Sequence, residues 1–229
     1  MSEAKFRLRV TYQKVGPVRF LSHLETARAC ERSIRRAGLP YAVTHGFNPH
    51  MRIAFGPALP VGTAGRAEMY DVWLTELVGP DDALERLRHA TREELRAIAC
   101  RYVDPKGPSL AAAADVAHYE VAVSGPPEVA ESIARGLSSV SRSGTLTVEH
   151  KGKQKVFELA TTLLKEPVVR PVDEGAVVEV VTRMSEQGSL RPDALVKAAL
   201  GPALAGVASV SVTRTRLASR AADGTEEAL

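Results

Sequence analysis

Apolar and polar side chains alternate from the start of the chain. Phe6, Leu8, Val10 and Tyr12 interleave with Arg7, Arg9, Thr11 and Gln13, the period-two pattern of a strand with one buried face. Gly16-Pro17 breaks the pattern. Ser22 followed by Glu25 then reads as a capping box, in which each side chain satisfies the other's backbone N–H at a helix start. The helix is expected to bury Leu24, Ala27, Cys30, Ile34 and Ala37 and to stop at Gly38, with Pro40 behind it. A loop rich in Gly, Pro, Asn and His follows over 41–60, holding one strand-like run at 51–55. Period-two alternation returns at 69–75, Pro80 opens a helix running to His89, and 96–103 closes as a strand.

The order β-α-β-β-α-β is that of a ferredoxin-like domain, placed at 1–106. Residues 107–116 read as a linker rich in Pro, Gly and Ala. An approximate second copy follows at 117–217. Its strands lie at 118–123, 176–182 and 207–214, its helices at 126–137 and 192–200, and a hairpin joins 146–149 to 156–159. The predicted fold is thus α+β, two tandem ferredoxin-like domains, with a polar, flexible tail at 218–229.

Composition narrows the function classes. Of 229 residues, 45% are apolar, enough for a substantial core in each half. The two cysteines, Cys30 and Cys100, are far apart and form no metal-ligand spacing, which points to a reducing compartment and excludes an iron–sulfur loop. No apolar run is long enough to span a bilayer, so a cytoplasmic protein without membrane contact is expected. Up to Arg66, eleven Lys and Arg face only three acids, leaving this stretch at about +8 and the remainder near −5. A field of that sign attracts phosphates or acidic proteins.

The basic residues have positions. Arg28, Arg32, Arg35 and Arg36 share one broad stripe of the first helix, Arg19 precedes it, and Arg7 and Arg9 occupy the polar face of the first strand. With Trp73 on that same sheet face, they would make a platform on which RNA bases stack between phosphate contacts. The alternative pairs Asp71 with Arg7 or Arg9. Lys151 and Lys153, at the hairpin tip, are further phosphate candidates. Around the arginines, Ser22, His23, Glu25, Gly46, Phe47, Asn48, His50 and Asp71 would shape a site. His23 is the one candidate acid–base catalyst, for metal-independent RNA cleavage. The histidines match no strong ligand spacing, so no metal and no cofactor are expected.

Three segments together resemble a known family: Arg19-Phe-Leu-Ser-His-Leu-Glu25, Arg36-Ala-Gly-Leu-Pro40, and His45-Gly-Phe-Asn-Pro-His50 continuing to Leu59-Pro-Val-Gly62. Glu68, Asp71 and Lys151-Gly-Lys-Gln-Lys155 extend the match. The family is the radical-SAM-linked proteins, a bacterial domain of uncharacterised function found beside or fused to B12-type radical SAM proteins. Glu25 stands where that family often has Asp, and Thr44-His45 where it often has Ser-Gln. The resemblance implies a radical SAM enzyme as partner. The chain cannot be that enzyme, because it lacks the three-cysteine cluster loop. The expectation is an accessory protein that binds structured RNA or presents substrate through its Arg/His face. Its rivals are a metal-independent RNA endonuclease and a pure protein-interaction module that docks the enzyme.

Overall fold

In the computed structural model, which describes residues 5–150, 152–185 and 189–229, the chain divides into two compact units, Met1–Ala114 together with the final Leu229, and Asp115–Ala228. The first is built on β1 (Phe6–Lys14), α1 (His23–Arg36), β2 (Ile53–Phe55), β3 (Ala64–Leu74), α2 (Pro80–Ala90), β4 (Ala97–Val103) and a short α3 (Leu110–Ala113). Its strands lie in the order β4-β1-β3-β2, every neighbour antiparallel.

The register assigns the two faces of this sheet. Leu8 stands opposite Val72 and Val10 opposite Tyr70. These four side chains, with Cys30 and Ile34 of α1 and Ala83 and Leu87 of α2, form the core beneath the helices. The other face brings Arg9 opposite Asp71 and Arg7 opposite Trp73. That face is closed rather than solvated: Arg7 is 2%, Arg9 7% and Asp71 0% exposed. The expectation of a strand with one polar, open face is therefore corrected.

Of the stretch 107–116, read from composition as a linker, residues 107–114 belong to the first unit and are fixed to its sheet, while Val116 already opens the first strand of the second unit. Arg7 Nη1 donates to the carbonyls of Asp104 (3.2 Å) and Gly107 (2.9 Å), and Nη2 donates to that of Pro108 (2.7 Å). Leu110, fully buried, opens α3, whose N-cap Ser109 accepts from Ala112 N. An Ala-rich run flanked by Pro and Gly looks unstructured by composition, yet one buried leucine and one arginine fork hold it.

The second unit contains β5 (Val116–Ser124), α4 (Val129–Ser143), β6 (Thr145–His150), β7 (Lys153–Glu158), α5 (Leu159–Thr162), β8 (Val168–Val172), β9 (Gly175–Arg183), α6 (Pro192–Leu200), β10 (Ser209–Arg220) and β11 (Glu226–Ala228). The order β10-β5-β9-β8 is again antiparallel throughout. The anticipated hairpin forms, but as a separate two-stranded sheet of β6 and β7. The strand that flanks β9 on the side away from β5 is β8, for which the sequence gives no signal. It is five residues long, mostly exposed and interrupted by Pro171, so neither alternation nor propensity marks it. The tail, expected to be flexible, supplies the end of β10 and a three-residue pairing of β11 against Ala218, Ser219 and Arg220.

Helices α4 and α6 cross at Gly136, where a Cβ would overlap the carbonyl of Ala199. Val129, Ile133 and Leu137 of α4 meet Leu195, Val196 and Ala199 of α6 over β5 and β9. No helix among the described residues is long and apolar enough to cross a membrane.

Candidate partner-docking surface

The start of α1 is fixed as its sequence suggests. Glu25 N donates to Ser22 Oγ (3.3 Å), and Glu25 Oε2 accepts from Ser22 N (2.8 Å) and Ser22 Oγ (2.7 Å), a complete capping box. These hydrogen bonds, first the hydroxyl's and then the backbone's, hold the Glu25 carboxyl below its usual range. The helix then turns Thr26, Cys30, Ser33 and Ile34 inward. Its two buried hydroxyls are satisfied locally, Thr26 by the Ser22 carbonyl (2.9 Å) and Ser33 by that of Ala29 (3.1 Å).

Leu24, expected in the core, is 57% exposed. At about 100° per residue it lies roughly 160° around the helix from Thr26, away from the sheet. Leu24, Arg28, Arg32 and Arg36 instead follow one another at four-residue spacing, all exposed. Arg35 lies beside this line, with Nη2 on Glu31 Oε2 at 3.3 Å and its guanidinium 5.9 Å from the Tyr41 ring centre. At the N-terminal end of the stripe, Phe20 is 59% and Val61 61% exposed. Arg19 stacks on Phe20 at 4.9 Å, and its backbone carbonyl accepts from Gly62 N at 3.0 Å, joining the turn before α1 to the Leu59-Pro-Val-Gly62 segment.

The His-Gly-Phe-Asn-Pro-His loop stands clear of the unit. Residues 43–50 are all exposed, Phe47 fully, while Thr44 closes the neck by accepting from His50 N through its hydroxyl (3.1 Å) and donating its own N–H to His50 O (2.8 Å). Gly46 has a φ of 125°, a conformation suited to glycine. His23, the first residue of α1, meets Phe55 edge-on with ring centres 5.5 Å apart. It lines a small crevice with Tyr12, Lys14, Thr26, Phe55 and Glu68. Lys14 is buried there and donates to the Leu21 carbonyl at 2.8 Å. A Cβ on Gly65 would overlap the Glu68 side chain, so glycine leaves the room that Glu68 occupies.

The anticipated residues therefore separate into two groups. Arg28, Arg32 and Arg36 share the exposed stripe with Leu24, and Arg19 lies at its end. Arg7, Arg9 and Asp71 are consumed in a buried triad: Asp71 accepts from Arg7 at 2.6 and 3.0 Å and from Arg9 at 2.8 and 3.0 Å. Trp73, partly buried, has its ring against the guanidiniums of Arg7 (5.2 Å) and Arg52 (4.6 Å). Lys151 and the side chain of Lys153 lie outside the described residues. Among the described residues no group of three or more His, Cys, Asp or Glu is placed to hold a metal ion. Phe20, Leu24 and Val61 were not among the anticipated surface residues. The four-residue spacing of Leu24 from Arg28 was the available signal for one of them.

Comparison with known proteins gives a family and little else. No curated protein matches the chain. Among solved structures it is similar to the crystal structure of an unknown protein from Galdieria sulphuraria, with 14% identity over 91% of this chain and 98% of that one. The TM-score of 0.26 is too low for any structural argument. The family of uncharacterized proteins conserved in bacteria, DUF2344, matches residues 7–192, and the chain belongs to it.

Proposed function

We propose that this chain is an accessory subunit that docks a protein partner through the outer face of α1 and the turns beside it. By the sequence resemblance, that partner is a B12-type radical SAM enzyme. The observation that carries the reading is the continuous exposed line Leu24–Arg28–Arg32–Arg36, extended at its N-terminal end by Phe20 and Val61. An aromatic side chain and arginines exposed together, as Phe20 and the α1 arginines are, are what protein interfaces favour. The architecture suits that role: each unit is read as a ferredoxin-like scaffold, the second interrupted by the β6–β7 hairpin, with its two longest helices on one face of a four-stranded antiparallel sheet.

The experiment is affinity purification of the tagged full-length chain from nuclease-treated lysate of its host. The expected result is co-purification of the radical SAM protein, reduced at least tenfold by Leu24→Asp with Arg28→Glu, while the thermal melting curve is unchanged. Equal retention by the variant, or no enrichment of that enzyme, refutes the reading.

RNA binding is the second reading, and Arg28, Arg32 and Arg36 are what favour it. With Arg7 and Arg9 buried on Asp71 and the partly buried Trp73 ring already against the Arg7 and Arg52 guanidiniums, this reading rests mainly on phosphate contacts. A complex that dissolves on nuclease treatment, with steeply salt-dependent affinity for structured RNA, selects it over protein docking.

A further inference from the structure

The second unit carries a cluster of charges that the α1 surface does not involve. Glu226 of β11 sits among three basic side chains from separate places in the fold. His118 Nε2 of β5 is 2.6 Å from its Oε2, Lys165 Nζ of the segment after α5 is 3.2 Å from its Oε1, and Arg216 Nη1 of β10 is 3.7 Å from its Oε2. Burial raises the Glu226 carboxyl, but the hydrogen bonds from His118 and Lys165 outweigh it and leave the group below its usual range. Backbone pairing is slight, for β11 meets β10 at three register positions, Ala218 with Ala228, Ser219 with Glu227 and Arg220 with Glu226. Glu227 and Ala228 are exposed. The connecting turn is held largely by its own bonds, with Asp223 Oδ1 accepting from Thr225 N at 2.9 Å and from Thr225 Oγ1 at 2.6 Å.

We propose that β11 is a displaceable strap lying in a binding site for an acidic, extended peptide segment, with Glu226 in the place of the ligand's carboxylate and His118, Lys165 and Arg216 as its receptor. Two observations select this ligand. The carboxylate arrives on an extended backbone paired with the last three residues of β10, so the site reads an acid presented by a strand. In addition, Lys165 and Arg216 both face the single Glu226 carboxylate, which His118 also contacts, so the receptor carries more positive charge than one carboxylate neutralises. The inference is independent of the proposed role of α1.

A tethered strap competes at an effective concentration of order millimolar, so a free peptide will not displace it from the unmodified chain at micromolar concentration. The test therefore loosens the strap within the full-length protein by Glu226→Gln, which leaves Leu229, the buried side chain that follows it, in place. The probe is a fluorescent peptide of residues 221–229. Amide exchange at 227–228 is expected to accelerate at least tenfold in the variant. The peptide is expected to bind the variant at least tenfold more tightly than the unmodified chain, and to lose that gain when its own glutamate at 226 is replaced by glutamine. Size-exclusion chromatography reports whether a second copy of the chain supplies the strand, in which case the variant dimerises. Unchanged exchange, or peptide binding that does not distinguish glutamate from glutamine, overturns the proposal. So does a variant that gains affinity for RNA but not for the peptide.

Discussion

Replacing Asp71 by alanine is expected to destabilise the first unit by about 3–5 kcal/mol, measured by urea denaturation, a large share of the stability of an ordinary domain. The carboxylate is fully buried and is the counter-charge for two guanidiniums that are themselves nearly inaccessible. Arg7 spends all five of its donors, two on Asp71 and three on the carbonyls of residues 104, 107 and 108. Removing the acid leaves two positive charges in a dry environment, and neither can deprotonate at any ordinary pH. Asparagine is also costly, because its amide group presents N–H donors to donors. A surface pair provides the contrast: Glu31→Ala, which frees the half-exposed Arg35, is expected to cost no more than about 0.5 kcal/mol. An Asp71→Ala protein within about 1 kcal/mol of the unmodified chain would mean that the triad is solvated and the sheet face open.

The second large effect is expected at Gly136, and its sign is the informative part. On an exposed helix, glycine to alanine stabilises by roughly 0.5–1 kcal/mol, because alanine restricts the unfolded chain and favours the helix. At Gly136 the added methyl would overlap the Ala199 carbonyl, a backbone atom that no rotamer change can move aside. Helices α4 and α6 must separate, and the packing of Ile133 and Leu137 against Val196 and Ala199 loosens with them. The net change is expected to be a destabilisation of about 1–3 kcal/mol, read as a lower urea midpoint for the second unit. A stabilised Gly136→Ala protein would show that the helices do not cross this closely.

These two sites also mark how far the sequence could be read. Alternation in β1 and β3, the Ser22–Glu25 box and the Gly38 stop are local signals, and the elements they announce are present. The burial of Arg7 and Arg9 depends on Asp71, sixty-odd residues away, and on carbonyls nearly a hundred away. Period-two alternation assigns a polar side chain to a face without saying whether that face is covered. Leu24 failed for the opposite reason: its own helix periodicity set it opposite Thr26, but hydrophobicity alone argued it inward. For β8, Pro171 and an exposed edge position removed both cues. Within the docking surface, the arginines of α1 were legible from their spacing. Val61 is brought beside Phe20 only by the backbone bond between Arg19 and Gly62, which no local signal announces.

The burial of Cys30 beneath α1 has a practical consequence. Desolvation pushes its thiol up to about 12, and that of the partly buried Cys100 in β4 likewise to about 12. Both cysteines belong to the first unit and the second has none. An alkylating reagent at neutral pH thus meets almost no thiolate until that unit opens. The chain carries an internal clock for the unfolding of one half, and the rate of mass gain on alkylation reads it without any added label or engineered site.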